Sequence, residues 1–145
     1  MKLKKGDWVL DIRVIEERLR RLNKCVGKVQ NYSQMTLQDY QEDENVQDIV
    51  ERNLQLSIQC CIDIGSYIIS RQRLKVPDDE ENVFVILGEN QVISNELAQK
   101  VKGMIKFRNI LVHDYLEIDS IRVHKIITNG LRDFDQFAKE VIGYL

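Results

Sequence analysis

Between Val46 and Ile68 an apolar residue returns every three or four positions: Val46, Ile49, Val50, Leu54, Ile58, Cys61, Ile64 and Ile68. A strand alternates with a period of two, so only a helix gathers these side chains into one stripe. Asp43 or Asn45 is placed to cap it, and the pattern predicts one long helix over about Asp43 to Arg73. Arg52 and Asp63 are the polar residues on it that stand out. One proline and seven glycines in 145 residues leave little material for turns. That favours a few long helices over many short strands.

The rest of the chain reads in the same terms. Residues 7–30 form a first helix, capped by Asp7 or Asp11, with Val9, Ile12, Ile15, Leu19 and Leu22 or Val26 as its stripe. Tyr32 to Gln41 is polar and reads as a turn or short helical piece, with Thr36 as a cap for Asp39. Leu74 to Asn82 is a loop, with Pro77 followed by four acids. Val83 to Leu87 is an apolar run. With no partner strand in sight it reads as a short helix, ended by Gly88. Ser94 or Asn95 caps a third long helix. Asp119 or Ser120 caps the last, which runs to Leu145 with Ile121, Ile127, Leu131, Phe134, Phe137, Ala138 and Val141 on its apolar side. No repeat or composition break divides residues 1–145. The expected architecture is one all-α domain, an up-and-down helical bundle of four long helices plus a short extra helix.

No apolar run approaches the length of about 18 residues that a membrane span needs. The basic N-terminus is followed by no apolar signal core, so a cytoplasmic location is expected. Cys25, Cys60 and Cys61 are an odd set. Cys60 and Cys61 diverge by about 100° on a helix, which suits reduced core thiols better than a bridge or a metal. His113 and His124 lack neighbours at zinc-ligand spacing, and no metal or other cofactor is expected. The net charge of −2 argues against broad, sequence-blind binding of nucleic acid, though Lys100, Lys102, Lys106 and Arg108 make a local basic cluster.

That cluster leads into Arg108-Asn109-Ile110-Leu111-Val112-His113-Asp114-Tyr115, where Arg, Asn, His and Tyr sit within a segment otherwise built for burial. On a helical wheel with Leu97 at zero, Val101, Met104, Leu111 and Tyr115 fall within about 40°, and Arg108 lies at about 20°. A guanidinium keeps its proton, so burying Arg108 requires an anionic or hydrogen-bonding partner. A structural ion pair would meet that need, and so would a bound phosphate. His113 falls at about 160° on an unbroken helix. For both residues to serve one pocket, the helix must end, unwind or kink between Asn109 and His113. Ile105, Phe107, Ile110, Leu111 and Val112 cover opposing sides of the same segment. One side suits the bundle core and the other a partner subunit.

The Arg-x4-His-x-Tyr pattern resembles the signature of the HEPN superfamily in its HepT-like branch. Glu51 to Gln55 followed by Cys60 to Ile64 is similar to the family's long second helix. Val83 to Leu87 with Leu97, Ala98 and Met104 is similar to its middle, and Asp133, Phe134 and Phe137 to its last helix. The likeness covers roughly residues 8–144. It implies a metal-independent ribonuclease toxin of a toxin–antitoxin module, acting on an RNA substrate as a homodimer with the site at the dimer interface. It also implies an MntA-type nucleotidyltransferase antitoxin that transfers AMP onto Tyr115. His113 suits proton transfer because its free pKa lies near neutrality, and Arg108 suits phosphate because its fork matches two oxygens. Asn109 would support either the phosphate or the ring. The competing reading is a non-catalytic HEPN module that binds a nucleotide or partner. A third is a helical scaffold in which His113 and Tyr115 are satisfied core groups.

Overall fold

Four helices begin where a short side chain turns back onto the backbone. Asp11 accepts from the N–H of Arg13 at 3.0 Å, Thr36 from Asp39 at 3.1 Å, Asp43 from Val46 at 3.0 Å and Asp119 from Ile121 at 3.0 Å. Ser94 Oγ accepts from the N–H of Leu97 at 3.1 Å at the start of a fifth. Each such cap contributes about 1 kcal/mol and satisfies a donor the helix cannot. The computed structural model describes residues 10–113 and 118–145, with His113 described in its backbone only. Tyr115, Asp7 and Val9 therefore lie outside the described residues.

The helices are α1 (Ile12–Gln30), α2 (Leu37–Glu42), α3 (Glu44–Arg71), α4 (Glu81–Glu89), α5 (Asn95–His113), α6 (Ser120–Lys125) and α7 (Arg132–Tyr144), with a π-helical turn at Ile126–Gly130. No strand occurs among the described residues. Helix α1 lies along α3, α4 packs against α5, and α7 closes on α1, α3 and α5. The expected all-α bundle is therefore the observed one, with α2 and α4 as two short additions.

Phe84 and Phe137 meet edge to face at 5.8 Å in the core, where both are fully buried. Gly65 lets α3 and α4 come together: a Cβ there would lie 2.7 Å from Val83 Cγ1. A β-branched side chain has little room to give way.

Three expectations need correction. The last helix is not continuous to Leu145. It is α6, a π turn and α7. Thr128 Oγ1 donates to the His124 carbonyl at 3.0 Å, and Gly130 follows, so side-chain competition and a weak helix former loosen the ladder here. Ile121, placed on that helix's apolar side, is 48% exposed, and Val123 is buried instead.

The second correction concerns α5, which runs unbroken from Asn95 to His113. The end or kink that a pocket shared by Arg108 and His113 would require between Asn109 and His113 does not occur. The third concerns the apolar girdle. Ile105, Phe107 and Leu111 are all buried within the single chain. Helix α5 is enclosed by α3, α4 and α7, so one core uses more of its circumference than a two-sided reading allowed. Ile110 is half-buried, and Val112 is 39% exposed.

Candidate active site

Arg108 lies on the inner side of α5, in the stripe of Leu97, Val101 and Leu111, and is 9% exposed. Three elements meet at its guanidinium. Nη1 donates to Gln59 Oε1 on α3 at 2.5 Å, and Nη2 donates to Glu80 Oε1 at 2.6 Å. Nε is buried and has no hydrogen-bond partner among the described residues. Arg108 thus has the partners that its burial demanded, and its Nε is left without one among the described residues.

Glu80 occupies the N-cap position of α4 but makes no side-chain capping bond there. Its carboxylate turns to Arg108 instead. The two ends of this ion pair differ: the arginine side chain is 11% exposed and the glutamate side chain 53%. A half-solvated pair is screened by salt and contributes about 0–1 kcal/mol, so its anion is readily exchanged.

Gln59 links the arginine to a further acid. Its Nε2 donates to Asp63 Oδ1, one helical turn on along α3, at 2.9 Å. Gln59 and Asp63 also line a surface groove of about 340 Å³ between α1 and α3, shared with Arg18, Arg21 and Cys60. Cys60 is no nucleophile at neutral pH. Burial, with Cys25 adding, pushes its thiol up to about 11 against the opposing pull of Arg21 and Arg18. A larger depression of about 660 Å³ lies between Gln91–Asn95 and α7 and contains none of the motif residues.

The other expected site residues stand as follows. Asn109 is half-buried beside Arg108 on α5. The backbone of His113 is the last residue of α5, five positions beyond Arg108. Its ring, and the whole of Tyr115, lie outside the described residues. Of the two polar residues singled out on the long helix, Asp63 enters the arginine network and Arg52 is exposed. Lys100 and Lys106 are exposed and Lys102 half-buried, so none of the three shares the burial of Arg108. Gln59 and Glu80 were not anticipated. The sequence does carry a signal for Gln59, an amide one helical turn before Asp63. Glu80 is hidden in a run of four acids.

A family model described as Ribonuclease HepT-like matches residues 22–141. The chain belongs to this family. Among its HepT-like relatives, the mRNA nuclease HepT of Shewanella oneidensis is 32% identical over 124 residues, covering 86% of this chain and 92% of the relative. The tRNA nuclease HepT of Aphanizomenon flos-aquae is 30% identical over 132 residues, covering 91% of this chain and 90% of the relative. A solved structure of the tri-AMPylated HEPN toxin of Shewanella oneidensis, in complex with MNT antitoxin, superimposes with a TM-score of 0.82 at 30% identity. It covers 90% of this chain and 97% of that one. The HepT-like chain thus shares its fold with a toxin that carries AMP groups. No helix among the described residues is long and apolar enough to cross a membrane.

Proposed function

We propose that this HepT-like protein is the toxin of a toxin–antitoxin module and cleaves RNA without a metal ion. The observation that carries the reading is Arg108. It is a buried guanidinium whose Nε has no partner among the described residues and whose Nη2 is held by a replaceable, half-exposed carboxylate, on the same helix as His113. An RNA phosphate that replaces Glu80 would meet two donors in a fixed fork.

The chemistry follows from those two residues. His113 takes the proton of a ribose 2′-OH, whose oxygen attacks the adjacent phosphorus. Arg108 stabilises the charge gathering on the phosphate oxygens. The bond from phosphorus to the 5′ oxygen breaks, and that oxygen gains a proton. The products end in a 2′,3′-cyclic phosphate and a 5′-hydroxyl. Asn109 orients the phosphate or the ring.

Two proton transfers are served best by two histidines. On the unbroken α5, position 113 lies about 140° round from position 108. A homodimer that sets two copies of the motif face to face supplies both residue types to one cleft. The nucleotidyltransferase antitoxin would silence this site by transferring AMP to Tyr115, since the added phosphodiester brings negative charge and bulk to the motif. The likeness to an AMPylated toxin supports that reading.

The test is expression of the chain alone in a bacterial host. Growth should stop with the wild type and continue with Arg108→Ala or His113→Ala at equal protein levels. Growth arrest by all three would remove the catalytic role of the motif.

A further inference from the structure

Gln59 stands between a group that can only donate and a group that can only accept. Arg108 offers N–H donors and has no acceptor, while the carboxylate of Asp63 offers acceptor oxygens. The amide of Gln59 satisfies both in one orientation only, with Oε1 toward Nη1 of Arg108 and Nε2 toward Oδ1 of Asp63. If the amide turned over, its NH2 would face the guanidinium and its oxygen would face the carboxylate. Both contacts would then be repulsive. Asp63 sits one turn along the same helix, so the pair is rigid.

The other partner of Arg108 is of a different kind. Glu80 lies just ahead of α4, half in solvent, and is the one an incoming phosphate displaces. Once that happens, Gln59 is the side chain among the described residues that still holds the guanidinium by a hydrogen bond. We propose that Gln59 is the positioning residue for Arg108, with Asp63 fixing the direction of its amide. This rests on the reading of Arg108 as the phosphate-stabilising group. Gln59 acts through Arg108 and touches no reacting atom. A guanidinium released from it still attracts RNA but loses its alignment with the transition state, so kcat falls while KM stays.

The experiment is steady-state cleavage of one defined RNA oligonucleotide by the full chain and by Gln59→Met, Asp63→Asn, the double variant and Arg108→Ala. Methionine keeps the length of glutamine and removes its hydrogen bonds. Gln59→Met should lower kcat about tenfold with KM within about twofold, and Asp63→Asn should lower it by less. The double variant should be no slower than Gln59→Met, because Asp63 acts only through that amide. Thermal unfolding midpoints identify any loss caused by misfolding. If Gln59→Met fails to fold, Asp63→Asn decides by the same split between kcat and KM. Multiplying losses in the double variant, or a folded variant with full kcat, would overturn the proposal. Wild-type rates in Arg108→Ala would instead remove the functional reading on which it stands.

Discussion

Glu80 reaches across from the N-cap position of α4 to meet Arg108 at 2.6 Å, and its side chain makes no capping bond to that helix. This carboxylate stabilises the buried cation. Under the proposed function it would hold the place that an RNA phosphate takes and compete with RNA.

Glu80→Gln keeps the shape and removes the charge. Its KM for an RNA oligonucleotide should fall several-fold at low salt, with kcat nearly unchanged, and the difference should shrink as salt is raised. Because the pair is half-solvated, the cost in stability should stay below about 1 kcal/mol. An unchanged KM would mean that phosphate binds without displacing Glu80.

Alkaline stability reports on the core. Burial raises the phenol of Tyr40, with Glu51 and Asp48 adding, and its hydroxyl has no hydrogen-bond partner among the described residues. Burial likewise pushes the Cys60 thiol up from 9.0 to about 11, and Cys61 well above 9.0. A raised value in the folded state means that the unfolded chain loses its protons first. The stability from these groups is therefore fully present below about pH 9 and is lost as pH climbs through the folded values. Denaturant unfolding from pH 7 to 11 should show a plateau and then a fall. A rise above pH 9 would contradict the burial of these groups.

The homodimer is expected to scatter light as twice 17.1 kDa at micromolar concentration. The surface available for it on α5 is smaller than the sequence suggested, since Ile105, Phe107 and Leu111 are enclosed within one chain. Val112→Glu places a charge on the exposed remainder and should shift the mass toward the monomer, with activity falling alongside. A wild-type monomer would exclude a site shared between copies.

Tyr115 should carry AMP after co-expression with the partner nucleotidyltransferase and ATP. Intact-mass analysis and peptide mapping would locate the group. A neutralised toxin with unmodified Tyr115 would mean that the antitoxin works by steric cover.

The helices were legible because their stripes and caps are local. Thr36, Asp43 and Asp119 begin helices where their side chains could reach a free N–H. The need of Arg108 for a partner was legible too, from its place among Leu97, Val101 and Leu111. Which partner it found was not. Gln59 and Glu80 lie 49 and 28 positions away, and no spacing rule joins residues that only packing brings together. The π turn escaped for another reason: Thr128 and Gly130 weaken a helix without stopping it, and no proline marks the change. The girdle of α5 misled because an all-round apolar helix looks the same whether a second subunit or three helices of its own chain cover it.

The most direct test of the account is RNA cleavage by the purified chain with chelator present, followed by analysis of the new ends. The account predicts that cleavage proceeds and leaves a 2′,3′-cyclic phosphate or the 3′-phosphate derived from it. It further predicts that Arg108→Ala and His113→Ala each reduce the rate by about 10² or more with the fold intact. Cleavage that stops with chelator and returns with magnesium, or that survives both substitutions, would contradict it.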